Sequence, residues 1–260
     1  MKKELNAIIT IASRDFIKFT RDRFRIIATF IFPIIFIGIL GGSLQSNLGK
    51  AVHYNFLTFV FIGVIGQTLF QSTASGIISL IRDREEDFAQ EMFVAPISRL
   101  SIVMGKIVGE STVALAQVVG IIIFALIIRV PIDFTQFMRV LPAMLVACLL
   151  GGAFGVLVLA NLGAQVSAQQ IFPFVIFPQF FLSGVFAPIK NLPPVLLVFS
   201  RIAPMTYAVD FMRSVYYWGT PEYSQIVLNN PFIDLLIIGV IFTVFLSAGT
   251  YLFVRNERNR

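Results

Sequence analysis

Long apolar runs alternate with short polar intervals along this chain. Windows with little or no charge fall at about 24–44, 55–81, 107–128, 140–160, 167–188 and 232–254. A helix rises 1.5 Å per residue, so about 20 apolar residues cross a hydrocarbon core about 30 Å thick, and each window predicts a lipid-spanning helix. Residues 140–189 are fifty positions without a charge, too many for one crossing. The cluster Asn161, Gly163, Gln165, Ser167, Gln169 and Gln170 marks the turn between two. The pattern predicts an all-α integral membrane protein, a single transmembrane domain over 1–260 with six spans and both termini on one side.

Two intervals are more than loops. Residues 4–22 place Leu5, Ile8, Ile9, Ala12, Phe16 and Phe19 at helical spacing opposite Lys3, Asn6, Arg14, Lys18 and Arg21. That is the pattern of an amphipathic helix in the membrane interface, assigned to 1–23; a cytosolic helix packed on a partner is the competing interpretation. Between the fifth and sixth spans, 189–230 is apolar only in patches, broken by Pro193, Pro194 and Pro204 and closed by Tyr216, Tyr217 and Trp218. Each patch is too short to cross, which predicts short helices in or on the outer leaflet, shielded by protein because lipid cannot satisfy irregular backbone. Within the spans, Pro33, Pro173 and Pro178 are expected to kink their helices. Gly38-x-x-x-Gly42 and Gly151-x-x-x-Gly155 permit close helix approach, inside the chain or at a dimer seam.

Composition agrees with a membrane protein. Hydrophobic residues make up 57% and mean hydropathy is +0.86, against roughly 45–50% apolar residues in a soluble domain. The net charge of +6 flanks the apolar runs instead of forming one patch, so it encodes topology and not nucleic-acid binding. Placing both termini inside puts fourteen Lys and Arg on the cytosolic side and six outside, which predicts cytosolic termini. The opening residues, with seven basic and three acidic side chains before Ile26, are unlike a secretory signal, and no lipidation motif is present. One cysteine, Cys148, and one histidine, His53, argue against a disulfide framework and a metal cage.

The most informative interval is 82–106, a charged hairpin between the second and third spans. Phe88, Met92 and Ala95 share one helical stripe while Arg84, Asp87 and Glu91 share another, predicting a short amphipathic helix ended near Pro96. Taken alone, a solvated loop with a basic residue at each membrane end fits as well. The residue order resembles the coupling region of the type-2 ATP-binding cassette exporter permeases, drug-resistance-like members included. The matching positions are Arg84, Glu85, Phe88, Glu91, Met92, Val94, Ala95, Pro96, Ser98 and Arg99, followed by Gly105-Lys106. Asp87 stands where that family commonly has Gly, and Glu86 where it has an apolar residue. Leu182-Ser183-Gly184-Val185-Phe186-Ala187-Pro188, Asn191-Leu192-Pro193-Pro194 and the stretch from Ala203 to Arg213 are similar to the family's segment joining the fifth span to the outer helices. With the interfacial helix and six spans, the resemblance covers essentially the whole chain.

It implies an exporter permease in the cytoplasmic membrane, paired with a second copy and with two cytosolic ATP-binding subunits. ATP and Mg2+ would be used by those subunits. This sequence has no G-x-x-x-x-G-K-[ST] loop to cradle phosphates, so no cofactor and no catalytic residue is expected in it. Arg84, Glu85, Phe88, Glu91, Met92, Pro96 and Arg99 are then expected to dock on the ATPase, and Ser183, Gly184, Pro188, Pro193, Pro204 and Tyr207 are candidates for an outer gate.

From the residues themselves, Gly63, Gln67, Gln71 and Ser75 form a stripe at i, i+4 spacing on the second span. It is either helix-packing glue or, through Gln67, Gln71 and Ser75, a polar lining of the transport route. Glu110, the one acid well inside a span window, is expected to pair with Lys106 one turn away. The resemblance implies export of hydrophobic drugs, lipids, glycans or other compounds, and the uncharged spans disfavour a highly charged cargo, so a hydrophobic or amphipathic, drug-like or lipid-like molecule is the expectation. A non-transporting scaffold or sensor would explain six spans but not the hairpin. An intramembrane serine protease would have to use Ser183-Gly184 and His53, without a second histidine or an oxyanion constellation.

Overall fold

The computed structural model describes residues 2–49, 54–85, 98–159, 162 and 164–258, and among them all regular structure is helical. Helix α1 (Lys2–Arg21) ends at a break where the Asp22 carboxylate accepts the Arg25 amide at 2.9 Å and starts α2 (Arg23–Pro33). The rod continues through a π-helical stretch, Ile34–Gly41, into α3 (Gly42–Leu48). Asn55 caps α4 (Phe56–Gly76), which is followed by α5 (Ile78–Glu85). Ser98 caps α6 (Arg99–Ile127), and Asp133 starts α7 (Phe134–Leu159) by accepting the Gln136 amide. Then come α8 (Gln165–Leu182), a 3-10 turn Ile189–Asn191, α9 (Pro194–Ile202), α10 (Pro204–Tyr216), the one-turn α11 (Tyr223–Ile226) and α12 (Pro231–Arg258). Proline opens α9, α10 and α12 because the first helical position needs no amide hydrogen.

Arg23–Asn47, Phe56–Asp83, Arg99–Ile127, Phe134–Val158 and Tyr223–Phe253 are long and apolar enough to cross a membrane. The pair α9 and α10 reaches that standard only together, bent by 92°, and each is short, as the proline pattern predicts. The expected fifth span is α8, whose 18 residues extend about 27 Å. Four glutamines and two prolines dilute its apolar content. It starts two residues before the predicted window and stops at Leu182, where Gly184, with φ 77°, turns the chain. The third span begins at Arg99, eight residues before the predicted 107. Both ends of the 82–106 interval are therefore continuations of helices.

Helix α4 is the axis of the bundle. Apart from the Gln67, Gln71 and Ser75 stripe it is apolar, and most of its residues are buried, packed chiefly against α6, α7 and α10, as a helix apolar around most of its circumference requires. The tightest seam is with α7. A Cβ at Gly155 would lie 2.5 Å from the Ala74 carbonyl oxygen, and one at Gly151 would collide with the Phe70 carbonyl. The Gly151-x-x-x-Gly155 pair therefore serves internal packing. Of the three prolines expected to kink helices, Pro33 precedes the π-helical stretch, whereas α8 runs on as one helix through Pro173 and Pro178.

The apolar side of α1 divides. Ile11, Ala12 and Phe19 are buried against the bundle, chiefly on α6, while Leu5, Ile9 and Ile17 face outward. The buried face also contains Asp15, and that carboxylate leads to the site.

Candidate functional site

Three sequence-distant elements converge on the ammonium of Lys106, which has no exposed surface. Its Nζ lies 3.1 Å from Asp15 of α1, 2.6 Å from Asp83 of α5 and 3.1 Å from the Ser79 hydroxyl. An ammonium has three hydrogens to donate and finds three acceptors here. Asp83 also pairs with Arg14 and, at 3.6 Å, with Lys18. Glu110, expected to pair with Lys106, does not: its carboxylate is 3.2 Å from Arg25 of α2 and 3.5 Å from Ser79. The acids of α1 and α5 occupy Lys106, which leaves Glu110 to the cation across the groove. Glu4 adds a contact at the rim, accepting the Ser98 amide at 3.1 Å. Hydrogen bonds from the Ser101 hydroxyl and then the Ser98 amide hold its carboxyl below the usual range.

Two cavities open beside this cluster, and Arg25 lines both. One, of about 640 Å³, is bordered by Lys18, Arg21, Arg23 and Arg82 together with the acids of the cluster. The other, of about 240 Å³, lies deeper between α2, α4 and α6 and is lined by Gln67, Gln71, Ser75, Gln117, Thr29 and Phe32, among others. The structure thus splits the predicted stripe. Gln67, Gln71 and Ser75 line this cavity, the two glutamines bonding to each other along the helix at 2.7 Å. Gly63 instead lies under Arg213, whose Nη2 would be 2.5 Å from a Cβ there. Beyond the cavity, Phe32 packs edge-on to Phe180 with ring centroids 4.6 Å apart, and Phe36 stacks on Phe186 at 4.7 Å.

At the end of the bundle away from α1, the α9–α10 pair folds back into the protein. Every residue from Pro204 to Ser214 is buried. Arg213 anchors it: its guanidinium donates to the carbonyls of Gly184, Val185 and Phe59 and stacks 3.6 Å from the Phe59 ring centroid. Asp210, one turn earlier, accepts the amides of Leu228 and Asn229, each at 2.9 Å. The Tyr207 hydroxyl donates to the Arg201 carbonyl at 2.6 Å and ties the two arms together. Burial pushes the Tyr54 and Tyr217 hydroxyls up from their ordinary pKa.

Of the gate candidates, Pro204 and Tyr207 lie in α10 and Pro193 caps α9, while Ser183 caps the end of α8 and Gly184 and Pro188 lie in the turn between α8 and the 3-10 turn. Ser183 is buried, with its hydroxyl toward the Phe180 carbonyl. The docking candidates are less assembled. Arg84 and Glu85 sit in the last turn of α5 and Arg99 in the first of α6, while Phe88, Glu91, Met92 and Pro96 lie outside the described residues, as does His53. Among the described residues no group of acids, cysteines or histidines could hold a metal. Asp15, Asp83 and Gln117 were not singled out by sequence, while Lys106 entered only in the coupling-region match and as the expected partner of Glu110, and Arg213 only as the end of the outer-helix match. Lys106 and Arg213 had one available signal, a charge in or beside an apolar run.

A profile of the ABC-2 type transporter family matches residues 6–217. The chain belongs to this family. Among its relatives, the transport permease ycf38 of Cyanophora paradoxa is 24% identical over 251 residues, 92% of this chain and 85% of that protein. Nodulation protein J of Rhizobium leguminosarum bv. trifolii is 27% identical over 233 residues, 84% of this chain and 81% of the relative. ABC transporter G family member 20 of Dictyostelium discoideum is 25% identical over 162 residues, 62% of this chain but 22% of that longer protein. The chain is a multi-pass membrane protein of the transport-permease class.

Proposed function

We propose that the chain is the membrane subunit of an ATP-driven exporter in the cytoplasmic membrane. It works as a pair of copies driven by two separate cytosolic ATP-binding subunits, which use ATP and Mg2+. The α1 end of the bundle then faces the cytosol and the α9–α10 fold-back faces outward. The observation that carries this is the Lys106 cluster. Asp83 and Lys106 stand at the two roots of the 82–106 interval, and both are locked with Asp15 of α1. A push on the hairpin is delivered to α1, α4–α5 and α6 together, because separating these elements would strand charges in a buried site at a cost of about 3–5 kcal/mol.

ATP binding drives transport only if it favours one arrangement of the spans over the other. The roots of the hairpin are where such a bias enters the bundle. The route runs from the charged mouth beside Arg25, through the Gln67–Gln117 cavity, past Phe32 and Phe180, to the fold-back segment. The cargo is hydrophobic or amphipathic, drug-like or lipid-like, in keeping with the apolar spans on either side of that route.

The test is co-purification followed by a coupling measurement in reconstituted vesicles. The tagged chain is expected to bring down a cytosolic ATP-binding subunit, and Lys106→Met to leave ATP hydrolysis running while export falls at least tenfold. A chain that purifies without any ATPase, or a variant that exports at the original rate, would overturn the assignment.

A further inference from the structure

The cavity between α2, α4 and α6 carries an unmet hydrogen-bonding demand. Gln67 and Gln117 are 1% and 4% exposed. Each directs its amide N–H to a neighbour, Gln67 to the Gln71 carbonyl oxygen at 2.7 Å and Gln117 to the Thr29 hydroxyl at 3.4 Å. The carbonyl oxygens of both side chains accept nothing. A buried acceptor left without a donor is destabilising, and here two from different helices belong to residues lining one cavity. Pro33, which also lines the cavity, has no amide hydrogen to offer the Thr29 carbonyl one turn back.

The demand is for donors and not for charge. Among the described residues, the one ionic side chain lining this cavity is Arg25, and Glu110 neutralises it at 3.2 Å. A cationic guest would meet no free carboxylate there, and an ion without a counterion is strongly disfavoured at that depth. An anionic guest would find its partners in the outer cavity, among Lys18, Arg21, Arg23 and Arg82.

Building on the export function proposed above, we infer that this cavity receives an uncharged, hydrogen-bond-donating part of the cargo. That part is a hydroxyl- or amide-bearing group that donates to Gln67 and Gln117 and rests its apolar side on Phe32. A volume of about 240 Å³ admits a ring-sized group and not a whole amphiphile, so the apolar remainder of the cargo lies outside it, among the spans. Gln67 and Gln117 are then specificity-determining residues of the transporter.

The experiment uses the permease–ATPase complex in lipid nanodiscs with Ser72→Cys in the cavity wall as reporter. The native Cys148 is fully buried in α7 and stays silent. Labelling of the new thiol by a water-soluble maleimide is measured against three probes with the same ten-carbon chain: decyl maltoside, decyl trimethylammonium and decyl sulfate. Decyl maltoside is expected to protect at concentrations at least tenfold below the two ionic probes. Gln67→Met and Gln117→Met, near-isosteric changes that remove the acceptors, are expected to weaken its protection about tenfold each, equivalent to one lost hydrogen bond. Co-purification with the ATPase confirms that each variant is assembled. Equal or better protection by either ionic probe, or maltoside protection unchanged in both variants, overturns the cargo class and leaves the export function standing. Labelling that is identical in nucleotide-free and ATP-trapped complexes places the transport route elsewhere and overturns the cargo site, whereas failure to co-purify with the ATPase overturns the export function itself.

Discussion

At the α1 end, Lys106 is held by side chains from α1 and α5, whereas at the far end Arg213 is held by main-chain carbonyls of Phe59, Gly184 and Val185. Both cations are buried, yet their surroundings differ in kind. Side-chain carboxylates swing on rotatable bonds and exchange partners: Asp83 already serves Lys106, Arg14 and Lys18 at once. Main-chain carbonyls move only with the backbone that carries them, and the planar guanidinium fork matches them in one geometry. The α1 end is therefore built to hold together while shifting, and the far end to stay put. That is the division expected of a bundle pushed from one side.

Three measurements sharpen or break this contrast. The largest effect is expected from Arg213→Lys. One ammonium cannot reproduce the fork, and carbonyls left unpaired at about 1–3 kcal/mol each should lower stability by about 3 kcal/mol, read as early loss of the monodisperse peak on heating. Tolerance of lysine would show that charge alone, and not fork geometry, holds the fold-back in place.

Next comes a double-mutant cycle on Asp15→Asn and Lys106→Met. The pair should couple by about 1–3 kcal/mol, with the double variant more stable than the sum of the singles predicts, because either change alone leaves the other buried charge short of one partner. Arg14 and Lys18 remain beside Asp83, which keeps each single loss below that of Arg213→Lys. Additive losses would show the cluster to be a set of independent contacts.

The smallest effect is at Glu4, which lies at the half-exposed start of α1. Its folded-state pKa is lowered, so its contribution is present above the ordinary carboxylate value and disappears as pH falls through the folded one. Glu4→Gln should be slightly less stable than the parent at neutral pH, with the difference closing in acid. A gap that persists at pH 3 would assign the effect to packing of α1.

The fold was legible because hydropathy acts residue by residue: a charge in hydrocarbon is costly wherever its partners are, so five of the six uncharged windows coincide with helices long and apolar enough to span, and the sixth with the shorter, glutamine-diluted α8. Short outer helices were legible for a similar reason, since Pro193, Pro194 and Pro204 act on their own backbone. The family was legible through residue order in the 82–106 interval and in the segment after the fifth span, and it is the one the chain belongs to. The partner of Glu110 was not legible. Local spacing offers Lys106 four residues away, but a side chain is claimed by whatever folds against it, and Asp15 and Asp83 arrive from 91 and 23 positions off in sequence. Gln117 gave no signal at all, as one glutamine in an apolar run looks like any other until Gln67 and Thr29 are brought beside it.

Sequence alone determined that this chain is an all-helical membrane protein with several apolar spans and that a charged interval joins the second and third of them. These follow from transfer free energies and helix geometry, which each segment carries by itself. Only the tertiary structure decided which buried charges meet, that Gly151 and Gly155 seat α4 rather than a second copy, and that the glutamines border a cavity. Those outcomes depend on distances between segments that no single segment encodes.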